Sequence, residues 1–114
     1  MIRHLVFFKV KQELASTKTE VVKEMKRQLD ALPALIPGIK DLETGVDFLQ
    51  SPRSFDLSLI TAFETVADLD AYRIHPKHLK VVEYIKTVAE NTVAVDYDLR
   101  KYDPKARRQE GQSL

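Results

Sequence analysis

The chain contains no cysteine, which excludes disulfides, thiolate metal centres and thiol nucleophiles. That absence fits a reducing compartment. No apolar run approaches the roughly 20 residues of a membrane span, and the N-terminus lacks the basic segment and long apolar stretch of a signal peptide. A cytoplasmic protein without membrane contact is therefore expected. Glycine is scarce, with 3 residues in the whole chain, and none sits in a phosphate-cradling loop; no nucleophile motif is present either. Three histidines and scattered carboxylates give no recognisable zinc spacing. No metal and no cofactor are expected.

A length of 114 residues suits one domain and is too short for two. With 44% hydrophobic and 31% charged residues, the composition is that of an ordinary globular protein. Charge is uneven. Arg100, Lys101, Lys105, Arg107 and Arg108 stand against Asp103 and Glu110, a local balance of +3, whereas the first 99 residues carry −2. The stretch 100–114 reads as a basic, flexible, solubilising tail on a domain of residues 1–99. With one aromatic and no amphipathic repeat, it gives no reason to expect a nucleic-acid partner.

Residues 2–10 are β-rich, with Ile2, His4, Val6, Phe8 and Val10 on one face and Leu5 and Phe7 on the other. Ser16 or Thr17 precedes a helix, Thr17 and Glu20 having capping-box spacing, and Val21, Val22, Met25, Leu29 and Leu32 form its apolar stripe. Pro33 and Pro37-Gly38 end it. A second strand is expected over 39–49 and a third over 55–64, with Phe55, Leu57, Leu59, Thr61 and Phe63 sharing a face. A short helix over 66–73 is followed by another from Pro76, with Leu79, Val82, Ile85 and Ala89 on one side. A last strand over 92–99 alternates Val93, Val95, Tyr97 and Leu99 with Ala94, Asp96 and Asp98.

The order is β-α-β-β-α-β, with the second helical region broken at His75-Pro76. This is the ferredoxin-like α+β arrangement, one antiparallel sheet with helices on one face. The other face, carrying Leu5, Phe7, Ile60 and Ala62, is left bare and apolar. A second copy packed sheet to sheet is the simplest cover, which predicts a homodimer through the sheet face.

Arg3-His4-Leu5-Val6-Phe7-Phe8-Lys9, Ile36-Pro37-Gly38-Ile39, Phe55-Asp56-Leu57, Phe63-Glu64, Ala71-Tyr72-x-x-His75-Pro76-x-His78 and Val95-Asp96-Tyr97 together resemble the stress-responsive A/B barrel (Dabb) family over residues 1–99. The resemblance implies a dimeric α+β barrel. It spans stress proteins without assigned chemistry and an enzymatic relative, a polyketide cyclase working by aldol-type condensation without metal or organic cofactor. That enzyme's catalytic tyrosine and histidine match Tyr72 and His78, its first-strand histidine matches His4, and a last-strand aspartate matches Asp96. A further histidine of the cyclase falls at Leu57, so the pocket chemistry departs from it.

Two functional readings follow. In the first, His78 near a helix N-terminus is a neutral general base, Asp96 orients it, Tyr72 donates to a developing oxyanion, and His4 stands at the pocket edge. Met25, Leu29, Leu57 and Leu59 would line the pocket, and the ligand would be small and apolar or carbonyl-containing. In the second the cluster is architectural: Tyr72 packs its ring, His78 ties helix to strand through Asp96, and the domain binds a ligand or serves stress without catalysis. His75, held extended before a proline, belongs to the architecture in either case. A cofactor-free monooxygenase is a third reading, by fold analogy alone.

Overall fold

The computed structural model describes residues 1–100, so the basic tail from residue 101 onward lies outside the described residues. Strand β1 (Ile2–Val10) leads through a short 3₁₀ segment, Gln12–Thr17, into helix α1 (Lys18–Asp30). Strands β2 (Asp41–Val46) and β3 (Leu57–Phe63), helices α2 (Val66–Ile74) and α3 (Pro76–Val88), and strand β4 (Ala89–Asp98) complete it. The sheet order is β2-β3-β1-β4, antiparallel throughout. This is the ferredoxin-like α+β fold expected from the order of elements. No helix among the described residues is long and apolar enough to cross a membrane.

Alternation in β1 and β3 decides where the core sits. Ile2, Val6, Phe8 and Val10 are buried under the helices, as are Leu57, Leu59, Thr61 and Phe63 opposite them. Onto this face α1 packs Val22, Met25 and Leu29, α2 Leu69 and Tyr72, and α3 Val81, Ile85 and Val88. Burial of each large side chain contributes about 1.5–3 kcal/mol.

The remaining sheet face is open. Phe7, Val93, Val95 and Tyr97 are exposed there, and Leu5 and Ile60 are partly so. Ala62 was expected among them but is buried within the chain, flanked in register by Arg3 and Asp41.

Several local expectations are corrected. The Thr17–Glu20 capping box does not form; the Thr17 hydroxyl donates to the Leu14 carbonyl instead (3.3 Å). The 3₁₀ segment already feeds the helix, so its first amides need no side-chain cap. Strand β2 is shorter than expected because Ile39 turns into the core and Asp47 accepts the Gln50 amide in a turn (2.7 Å). Strand β4 begins earlier, at Ala89, with an irregularity opposite Lys9 and Val10. The apolar stripe of α3 is also rotated: Val81, Ile85 and Val88 are buried, while Leu79 is exposed.

Asp56, a residue to which no role was assigned, is nearly fully buried beside this frame. Its carboxylate accepts from the Val10 amide (2.8 Å) and from Lys18 Nζ (3.1 Å), tying the end of β1 to the start of α1. Burial pushes its carboxyl up, but these donors prevail and hold it below the ordinary carboxylate value.

Candidate active site

The site begins at the break between α2 and α3. Pro76 has no amide hydrogen and forces His75 into an extended conformation (φ −65°, ψ 134°), which ends α2 and starts α3. Tyr72, in the last turn of α2, is thereby aimed into the core, where its ring packs 5.2 Å from that of Phe63. His78, in the first turn of α3, is brought back over it, ring to ring at 4.2 Å. From the sheet below, the His4 ring meets Tyr72 edge-on at 6.1 Å.

These three side chains sit at one end of a cavity of about 310 Å³ between α3 and the β1–β4 side of the sheet. Its walls are Val6 and Phe8 of β1, Leu29 of α1, Leu59 of β3, Val81, Val82 and Ile85 of α3, and Ala94 of β4, with Lys86 and Thr92 also at its lining. It is a largely apolar hollow with its phenol and both imidazoles gathered at one end, the usual plan of a small-molecule site. A larger hollow of about 410 Å³ beside the β2–β3 connection, bordered by Phe7, Phe48 and Arg53, holds no imidazole or phenol. Only the smaller of these two cavities is lined by titratable rings, those of His4, Tyr72 and His78.

Of the residues expected at the pocket, His4, Leu29, Leu59, Tyr72 and His78 line it. Met25 and Leu57 do not. Met25 is fully enclosed in the core, and Leu57, also buried, borders the hollow beside the β2–β3 connection instead. The role given to Asp96 is also corrected. Asp96 sits opposite His4 across the β1–β4 ladder, and the His4 Nδ1–H donates to its carboxylate. His78 Nδ1 instead meets the backbone carbonyl of Arg73 at 3.1 Å. Sheet register brings Asp96 to His4, whereas the helix break brings His78 to the end of α2.

Each imidazole is therefore anchored by its Nδ1. A carbonyl or carboxylate oxygen can only accept, so each Nδ1 carries a hydrogen and Nε2 is the ring nitrogen left for the cavity. In the neutral ring that Nε2 is a bare base. Burial is the main influence on His78 and lowers it below the ordinary imidazole value, against the opposing pull of the Arg73 carbonyl; neighbouring His4, Arg73 and His75 lower it further. Burial also pushes the Tyr72 phenol up to about 12, so it stays protonated near neutrality. The Tyr72 hydroxyl is buried and has no hydrogen-bond partner among the described residues.

Arg73 was missed as a contributor. Its carbonyl holds His78, and its guanidinium lies 3.6 Å from the Asp96 carboxylate that holds His4. The α3 wall was read only in part, through Val82 and Ile85. Phasing the helix from His78 would have exposed it, since positions 78, 81, 82 and 85 follow the i, i+3, i+4, i+7 pattern of one face.

Comparison with known proteins bears on this geometry. The family model described as the stress-responsive A/B barrel domain matches residues 2–99. The chain belongs to the stress-responsive A/B barrel (Dabb) family. A stress-response A/B barrel domain-containing protein of Arabidopsis thaliana is 31% identical over 98 residues, 85% of this chain. The chain spans only 36% of that relative's length. Olivetolic acid cyclase of Cannabis sativa is 28% identical over 102 residues, covering 88% of this chain and 98% of the cyclase. Among solved structures, a dimeric protein of unknown function and ferredoxin-like fold from Bacteroides fragilis superposes with a TM-score of 0.77 at 27% identity. That match covers 86% of this chain and 95% of the other.

Proposed function

We propose that this Dabb protein works as a homodimer whose subunits each bind a small carbonyl compound and move a proton on the carbon next to its carbonyl. The observation that carries the reading is the Tyr72 hydroxyl, buried, protonated and unpartnered at the imidazole end of an apolar cavity. An orphaned buried hydroxyl costs stability unless a partner arrives, and a bound carbonyl oxygen is a fitting partner.

In this scheme His78 Nε2 takes the α-proton, and the electron pair left behind forms an enolate. Tyr72 donates its hydrogen bond to the enolate oxygen as the charge develops. The proton held on His78 Nε2 exchanges with solvent and returns to the enolate carbon, with His4, held by Asp96, at the edge of the cavity. Enolisation, isomerisation and aldol-type ring closure all begin this way, and the likeness to olivetolic acid cyclase supports the last of these.

Dimerisation fits the open sheet face with Phe7, Val93, Val95 and Tyr97, and the dimeric state of the B. fragilis protein supports it. Residues 1–99 would be the working unit and 100–114 a basic appendage. The lack of cysteine suits a cytoplasmic setting.

The test is exchange of α-hydrogens for deuterium in heavy water, followed by NMR on a panel of small ketones and 1,3-dicarbonyl compounds. The folded protein accelerates exchange for at least one of them; His78→Ala abolishes that acceleration and Tyr72→Phe cuts it by about 100-fold, both remaining folded. Binding of these compounds without exchange would return the cluster to the ligand-binding, non-catalytic reading.

A further inference from the structure

We propose that His75 is a positioning residue that selects the reactive tautomer of His78 by occupying a backbone amide. The catalytic meaning of this selection rests on the function proposed above; the selection itself does not. In an unbroken helix the Arg73 carbonyl would accept the Lys77 amide, four residues on. Here the Lys77 amide donates to His75 Nδ1 at 3.1 Å. The break at the extended His75 takes that amide away from the Arg73 carbonyl, the His75 cap holds it in α3, and His78 Nδ1–H donates to the carbonyl left open. Pro76 contributes by having no amide to offer, so the Tyr72 carbonyl closes α2 on the His75 amide instead (3.2 Å).

The two histidines consequently have opposite tautomers. His75 accepts at Nδ1, so its neutral ring carries hydrogen on Nε2. His78 donates at Nδ1, so its neutral ring keeps Nε2 bare toward the cavity it lines. The His-Pro-x-His segment is thus a device in which a helix break, secured by a cap on the first histidine, leaves an acceptor open for the second. Only a residue whose side chain accepts at a helix N-cap can do this, and aspartate, asparagine, serine and threonine share that property.

The experiment is nitrogen-15 NMR of the imidazole side chains in the full-length protein, with no ligand added, at a pH where His78 is neutral. In the wild type, His78 shows a protonated Nδ1 and a bare Nε2, and His75 shows the reverse. His75→Ala leaves the Lys77 amide uncapped and the break between α2 and α3 unsecured, so the His78 contact with the Arg73 carbonyl loosens and the two His78 nitrogen signals converge toward a tautomer mixture. His75→Asn restores the cap and with it the wild-type pattern, which a general loss of packing would not do.

A wild-type His78 carrying its hydrogen on Nε2 overturns the proposal. So does a folded His75→Ala variant with an unchanged His78 tautomer. If His75→Ala does not fold, the wild-type spectrum and the asparagine variant still decide. Because no substrate enters the measurement, its outcome is separate from that of the exchange assay.

Discussion

The Tyr72 and His78 rings lie 4.2 Å apart, yet the Tyr72 hydroxyl makes no hydrogen bond to His78 or to any other described residue. His78 uses Nδ1 on the Arg73 carbonyl, and the hydroxyl is left for something else. Tyr72→Phe should consequently leave stability unchanged or raise it by about 1 kcal/mol, since an unpaired buried hydroxyl is removed. Proton exchange on a bound carbonyl compound should fall by about 100-fold. Urea unfolding alongside the exchange assay checks both; a clear loss of stability would show that the hydroxyl has a structural partner.

Acidification should act first through His78. Folding holds its proton affinity below the ordinary value of 6.5, so as pH falls the unfolded chain binds the proton first. The contribution is whole above about pH 6.5 and is lost as pH drops through the folded value. Thermal midpoints measured from about pH 7 down to 5 should fall, and His78→Gln should flatten that slope. An equally steep slope in the variant would sink the assignment.

Asp56 sets a second, lower window. Its carboxyl is held below the ordinary value of 3.8, so its stabilisation is present above that value and lost as pH falls through the folded one. Asp56→Ala strands the Val10 amide in a buried position and should cost about 1–3 kcal/mol at neutral pH. The imidazole end of the cavity is not in contact with this pair, so ligand binding by the folded fraction should be retained. Chemical denaturation with a parallel binding titration tests the pair of outcomes.

The sheet face makes the oligomer testable. Val95 is 60% exposed in the isolated subunit, next to Leu5 in the β1–β4 ladder. Placing a charge there, as in Val95→Lys, should desolvate an unpaired ammonium in the dimer and convert it to monomer. Sedimentation velocity at micromolar concentration reads this directly. An unshifted dimer would mean the subunits meet elsewhere.

Much of the fold was legible because its signals are local. A period of two in β1 and β3 assigns each side chain to a face without reference to anything distant. The break at His75-Pro76 was equally readable, since proline restricts the residue before it whatever surrounds them. The Thr17 cap was not, because a 3₁₀ segment upstream served the helix, and neither residue in the capping box reports on that. The α3 stripe admitted two phases by its apolar residues alone, Leu79 or Val81; phasing from His78 favours Val81, and packing against the sheet buries it.

The sequence alone determined that this protein would build an antiparallel sheet with helices on one face, a bare apolar face opposite, and Tyr72 and His78 beside a helix break. Those outcomes follow from hydrophobic periodicity and from the chemistry of proline, both short-range. Tertiary structure decided which histidine Asp96 serves, because strand register sets Asp96 opposite His4. It also decided that Met25 and Leu57 belong to the core rather than the cavity, and that the Tyr72 hydroxyl is unpartnered. Those are distances between parts of the chain far apart in sequence, and no local pattern carries them.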